Sequence, residues 1–151
     1  MSATQPHRAQ FPGTIDGAVT ASSWLHGVAE REALPGKLVF ALEVCLEELF
    51  TNVVRHGGRG RDAAPLSVDV GLSVEGNDVA MYIEDNGKSF DVSQAPARPI
   101  RRPLEEVMPG GLGMQLIRSF SKELLYESRP DGNRVILKFL RQEQAGSTAG
   151  A

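Results

Sequence analysis

Residues 43–56, EVCLEELFTNVVRH, decide how the rest of the chain is read. They form the greater part of one long helix. Leu42, Leu46, Leu49 and Val53 recur at spacings of three and four, which gives a single apolar stripe. Glu48, Asn52 and His56 recur at spacings of four, so a carboxylate, an amide and an imidazole line up along one helix face. Asn is a mediocre helix former because its side chain competes for nearby backbone groups. Placed one turn after a Glu, it belongs either to a solvated polar face or to a site. An amide oxygen suits magnesium held on a nucleotide, which takes few protein ligands. A carboxylate one turn away is placed to take a proton from a hydroxyl or a water. Glu47 points about 100° away from Glu48 around the helix and reads as a surface charge.

Outward from this helix, composition narrows the class. The chain has 151 residues, is 41% hydrophobic and 23% charged, and carries a formal net charge of -3. That is the profile of one ordinary globular domain. An acidic balance argues against a general nucleic-acid binder, so no direct nucleic-acid contact is expected. No apolar run reaches membrane-spanning length, and the first ten residues lack the apolar core of a secretion signal, so a cytoplasmic protein without membrane contact is expected. A single cysteine, Cys45, reads as a small core residue on the long helix. His7, His26 and His56 are scattered and have no cysteine partners, which speaks against structural zinc.

Before the long helix, the expectations are a loose segment over residues 1–9 and a short first strand within 8–15, pushed to a sheet edge by Pro12 and Gly13. Asp16 is the expected cap of a helix over 17–33, in which Val19, Ser23, Trp24, Leu25 and Val28 fit a modest amphipathicity and Trp24 is expected in the core. Pro35 is placed to open the long helix, and Gly57-Gly58 to end it. After a polar, basic loop over 60–65, Leu66, Val68, Val70 and Leu72 alternate with polar or small residues, and Val79, Met81 and Ile83 do the same. With Glu75-Gly76-Asn77-Asp78 between them, these are an antiparallel hairpin.

Residues 86–113 hold four prolines, a cluster of glycines and several arginines. So long a loop in a compact domain is uncommon without a task such as covering a ligand. One helical turn is expected at 104–107. A helix over 111–120 follows, with Leu112, Leu116, Ile117 and Phe120 inward. A strand at 124–128, a turn at Pro130-Asp131-Gly132-Asn133 and a last strand carrying Val135, Leu137 and Phe139 complete the chain. The expected class is α+β, a two-layer sandwich whose mixed or antiparallel sheet is covered on one face by helices. The domain is expected to span 10–141, with a disordered tail over 142–151.

Three pieces carry chemistry when read together. Glu48 and Asn52 are the first. The second is DNGKSFD, residues 85–91, at a strand end. Asp85 there can accept from an exocyclic amine such as adenine presents, and Gly87 lets the backbone turn closely around a ring. The third is GGLGM, residues 110–114, at a helix start, where backbone N–H groups and the helix dipole make a phosphate site. Lys88, Arg98, Arg101 and Arg102 lie between these pieces and can neutralise phosphate charge. Taken singly, each has a plain structural alternative: a common turn, a tight loop, a solvated charge.

In this order the pieces resemble the ATP-binding domain of the histidine-kinase-like ATPases, the superfamily that also holds gyrase and the heat-shock protein 90 chaperones. ELFTNVVRH (48–56) resembles the family's N box, DNGKSFD its first glycine box and GGLGM its second. The closing DGNRV (131–135) resembles the last hairpin of the small bacterial branch, the anti-sigma-factor serine kinases. A sensor histidine kinase would need a phosphoacceptor helix pair ahead of the domain, for which there is no room.

The resemblance implies the Bergerat ATP-binding fold, with ATP and Mg2+ as ligands. Asn52 would hold the metal, Glu48 would activate a serine hydroxyl on a partner, and Asp85 would read adenine in a pocket shaped by Gly87. Gly110, Gly111, Leu112, Gly113 and Met114 would cradle phosphates, with Lys88, Arg101 and Arg102 in support and residues 92–109 as a lid. His56 is expected to be a structural hydrogen-bonding residue. The implied activity is a serine/threonine protein kinase that binds a sigma factor and phosphorylates a small antagonist protein; a homodimer is a further implication, with the N-terminal helix and the sheet edge as contact surfaces. Two alternatives stand beside it: an ATP-regulated interaction module without transfer, and an ATP hydrolase. Glu48 favours the kinase, since a pure binder needs no base.

Overall fold

Alternation of apolar and polar residues builds the sheet. Val68, Val70 and Leu72 are buried on one strand, and Val79, Met81 and Ile83 on the next. Val135, Leu137 and Phe139 continue the same face on a third. The computed structural model describes residues 5–58, 64–88, 100–104 and 112–142. Among these, the elements in chain order are β1 (His7–Pro12), α1 (Ile15–Arg31), α2 (Gly36–Gly57), β2 (Ser67–Glu75), β3 (Asp78–Asp85), β4 (Ile100–Pro103), α3 (Leu112–Phe120), β5 (Glu123–Arg129) and β6 (Gly132–Leu140). The strands lie in the order β1-β2-β3-β6-β5-β4. Every pairing is antiparallel, so the mixed option falls away.

The fold is α+β in two layers. One sheet face packs against the helices in a single core that includes Leu25, Leu42, Leu46, Leu49, Phe50 and Val53. Burying each such leucine contributes roughly 1.5–3 kcal/mol relative to exposure. The other face carries charge: Glu84 meets Arg134 at 2.9 Å, Arg129 at 3.4 Å and Arg8 at 3.6 Å, and Arg134 lies over the Tyr82 ring. Among the described residues, no helix is long and apolar enough to cross a membrane.

Several expectations are corrected. Thr14, not Asp16, caps α1: it is extended, and its Oγ1 accepts from the Gly17 amide at 3.0 Å. Asp16 instead sits in the first turn, where it favours the positive end of the helix dipole. Val19 is exposed, because the buried face of α1 runs through Gly17, Ala21, Leu25, Val28 and Ala29, and Val19 lies about 200° around the helix from Ala21. His7 to Ala9 belong to β1 rather than to a loose segment, since they pair with Val70 to Leu72 of β2.

The long loop contains a strand, β4, which pairs with β5. Two arginines and a proline hide it from any alternation rule, and an edge strand tolerates Pro103. On α3 the most buried residues are Met114 and Ile117, while Leu116 is half-buried. Pro35 caps α2 and Gly58, at φ +58°, closes it. The loop at 60–65 lies largely outside the described residues, as do most of the helical turn expected at 104–107 and nearly all of the tail expected at 142–151.

Candidate nucleotide site

The candidate site draws on three elements on the helix side of the sheet, with α2 packed against both of the others. α2 supplies Glu48 and Asn52, one turn apart and both half-buried. The apolar stripe beneath them fixes the rotation of the helix: Leu46, Leu49 and Val53 are at most 2% exposed. Glu48 makes no hydrogen bond or ion pair among the described residues, so its carboxylate is uncommitted. Cys45 lies one turn before it, fully buried, and its thiol is pushed up to about 12, first by burial and then by the Glu48 charge. The thiol is therefore a neutral packing group beneath the carboxylate. Glu47 is exposed, as expected, and so is His56, which sits in the last turn of α2.

α3 packs against α2. The approach is tight at Gly113, where any β-carbon would overlap the Glu48 carboxylate, with Oε2 the first atom met. A glycine here is thus a condition for the start of α3 to approach the acid. Met114, one residue on, is buried and anchors the turn.

The third element is the end of β3, over which α2 packs. Asp85 continues the inward face of Val79, Met81 and Ile83 and is only 8% exposed. Its Oδ1 accepts from the Gly87 amide at 2.8 Å and from Asn133 Nδ2 at 3.0 Å. The first of these closes a tight turn that carries the backbone around to Lys88. Asn86 faces away and ties the strand ends together: its Oδ1 accepts from the Ser67 amide, and its Nδ2 donates to the Pro65 carbonyl. Gly132, at φ +156°, lies so close to the Asp85 carbonyl that a side chain would collide with backbone.

The sequence-based candidates divide as follows. Glu48 and Gly113 meet directly. Asp85, Gly87 and Lys88 form one turn, with the Lys88 side chain exposed. Arg102 lies opposite the buried Tyr126, on the helix side. Arg101 is not brought to the site: it faces the other side of the sheet and donates to Glu127 Oε2 at 3.0 Å. The alternation of a strand sends neighbouring arginines to opposite faces, which a loop reading of this stretch misses. Arg98, Gly110, Gly111 and the expected lid at 92–109, apart from 100–104, lie outside the described residues. Leu112 begins α3.

Two residues of the site were not singled out from the sequence. Asn133 is 1% exposed and directly opposite Asp85, and Tyr126, fully buried, donates its hydroxyl to Asn133 Oδ1 at 2.5 Å. Asn133 had been read as part of a turn. The available signal was parity, because Asn133 precedes Val135, Leu137 and Phe139 on the inward side of its strand.

A buried carboxylate at a strand end, an amide and a carboxylate on a neighbouring helix, and a helix start against that carboxylate are groups that could serve a nucleotide. Asp85 could accept from a base amine, Asn52 could offer a neutral oxygen to a metal, and the N-terminus of α3 suits phosphate.

Comparison with known proteins shows the family. Residues 11–139 match the family model described as histidine kinase-like ATPase domain. The chain is 32% identical over 130 residues to the serine/threonine-protein kinase BtrW of Bordetella bronchiseptica, across 82% of this chain and 90% of that protein. It is 24% identical over 125 residues to the serine-protein kinase RsbW of Oceanobacillus iheyensis, across 80% and 77% of the two chains. It is 26% identical over 124 residues to RsbW of Bacillus pumilus. Among solved structures, the RsbU and RsbW domains of a Mycobacterium tuberculosis protein superpose with a TM-score of 0.64 over 91% of this chain. The match spans 33% of that longer chain and, at 16% identity, shows a shared fold. With the family model matching residues 11–139, from the end of β1 into β6, the chain belongs to the histidine kinase-like ATPase domain family.

Proposed function

We propose that the chain is a single ATP-binding domain, residues 7–141, that acts as a serine/threonine protein kinase on a partner protein. The observation that supports this reading is the seat of Gly113 against Glu48, which has no hydrogen-bond or ion-pair partner among the described residues. A carboxylate there lies beside the helix start where phosphate groups would lie. The names of the relatives, serine- and serine/threonine-protein kinases, point the same way.

In this mechanism Asp85 accepts from the adenine amino group, and the turn at Gly87 closes around the base. The backbone at Gly113 and Met114, with Gly110, Gly111 and Leu112 ahead of them, donates to the phosphate oxygens. Lys88 and Arg102 add positive charge. Asn52 is the residue that would hold Mg2+, which when bound neutralises phosphate charge. Glu48 removes the proton from the partner's serine hydroxyl as its oxygen attacks the γ-phosphorus. The bond from that phosphorus to the β–γ bridging oxygen breaks, ADP departs, and the proton remains on the Glu48 carboxylate. Phosphoryl transfer asks for little else beyond positioning and charge neutralisation.

The partners proposed are those the branch resemblance implies: a sigma factor held by the domain, and a small antagonist protein that accepts the phosphate. A phosphate of about -2 charge on an interface serine would weaken that antagonist's hold by repulsion and desolvation. The test is incubation with γ-labelled ATP and the candidate antagonist. Glu48→Gln is expected to abolish label transfer while ATP affinity stays within about threefold, because the substitution touches the proton acceptor and not the binding groups. Loss of ATP binding in that variant, or transfer that persists, contradicts the role of Glu48.

A further inference from the structure

Asp85 is oriented by a chain of bonds that reaches two strands away. Asn133 Nδ2 donates both to Asp85 Oδ1, at 3.0 Å, and to the Lys88 carbonyl, at 2.7 Å. Asn133 Oδ1 accepts from the Tyr126 hydroxyl. Ser128 lies directly opposite Asn133 in the β5–β6 ladder, so Tyr126 reaches Asn133 diagonally across one sheet face. All three side chains are buried, at 8%, 1% and 0% exposure for Asp85, Asn133 and Tyr126.

An amide has a donor end and an acceptor end. Turned over, Asn133 would set its oxygen against a carboxylate oxygen and a carbonyl, both acceptors. Its orientation is therefore fixed at one end by Asp85 and Lys88, and its oxygen is satisfied at the other by the phenol. Remove the phenol hydroxyl and a buried amide oxygen loses a donor, so the amide is held at its Nδ2 end with less restraint on its position. The Asp85 carboxylate and the turn to Lys88 loosen with it.

We propose that Tyr126 is a specificity-determining residue for the nucleobase, a positioning residue that acts through Asn133 on Asp85 without touching the nucleotide. This rests on the reading of Asp85 as the acceptor for the adenine amino group. An ionised carboxylate only accepts. It favours a base with an amine at that edge and repels one with a carbonyl there, as guanine has. Repulsion discriminates only while the carboxylate cannot swing aside. Loosening the chain therefore lowers discrimination more than it lowers affinity.

The experiment measures Kd for ATP and GTP by calorimetry, with thermal unfolding in parallel, on the full chain and on Tyr126→Phe, Asn133→Ser, Asn133→Ala and Asp85→Ala. Tyr126→Phe keeps the ring and removes one hydroxyl. The ATP-over-GTP ratio is expected to fall about tenfold, the scale of a hydrogen bond that serves a charged group. Asn133→Ala or Asn133→Ser should lower it at least as far, and adding Tyr126→Phe to either should lower it no further. If Tyr126→Phe reduces the melting temperature but leaves the ratio unchanged, Tyr126 is structural and the inference is overturned. If the Asn133 variants keep the ratio while Tyr126→Phe loses it, the route through Asn133 is overturned. Asp85→Ala separates the two levels: retained ATP binding with its preference over GTP there removes the reading of Asp85 itself, whereas loss of ATP binding there beside unchanged Tyr126 and Asn133 variants removes only this inference.

Discussion

Gly113 shows how one missing methyl group links two distant stretches of sequence. A β-carbon there meets the flexible end of Glu48, not backbone, so an alanine can be accommodated if the carboxylate moves aside. Alanine is also the better helix former, by about 1 kcal/mol. Gly113→Ala is thus expected to unfold at the same denaturant concentration or a slightly higher one. Its phosphoryl transfer is expected to drop by about 100-fold, the scale of losing a positioned base. Urea melts beside a transfer assay check the pair of outcomes; a variant that is strongly destabilised, or fully active, contradicts the contact. The alignment of Glu48 and Asn52 on one helix face could be read from spacing alone, because four-residue periodicity is a property of the helix itself. The partnership of Glu48 with Gly113 could be expected only through the family resemblance, since no local rule connects positions sixty-five apart in the chain. Asn133 was hidden for a different reason: beside Asp131 and Gly132 its residue type signals a turn, and only its burial opposite Asp85 reveals a site residue.

At the scale of elements, long periodic segments were the most legible. The stripe on α2 and the alternation of β2, β3 and β6 fixed their type and inward faces. Short elements were not: β4 has four residues and no apolar alternation, and it exists because β5 offers a partner. Its formation is also what separates Arg101 from Arg102. The β5–β6 hairpin carries the sharpest constraint. Gly132 combines φ +156° with backbone contact to Asp85 and Asn86. Because backbone cannot step aside as a side chain can, Gly132→Ala is expected to cost on the order of 3 kcal/mol. It should also weaken ATP binding, since the strain falls on Asp85, the residue proposed to accept from the base. Chemical denaturation gives the first quantity and an ATP titration the second. A variant of ordinary stability would mean that the hairpin can relax away from Asp85.

For the molecule as a whole, the sheet separates two faces with different tasks. The helix face buries the core and presents the site, while the open face is a lattice of ion pairs around Glu84. Asp85 and Glu84 are neighbours in sequence, yet strand alternation gives one to each face. The account depends on Glu48 and Asn52, the turn at Asp85–Gly87, and Gly113 acting on one ligand. Titration of the chain with ATP in the presence and absence of magnesium, followed by calorimetry, tests that directly. The account predicts saturable one-to-one binding that magnesium strengthens, with the magnesium effect lost in Asn52→Ala and binding itself lost in Asp85→Ala. Absence of heat with ATP, or binding indifferent to both substitutions, would contradict it.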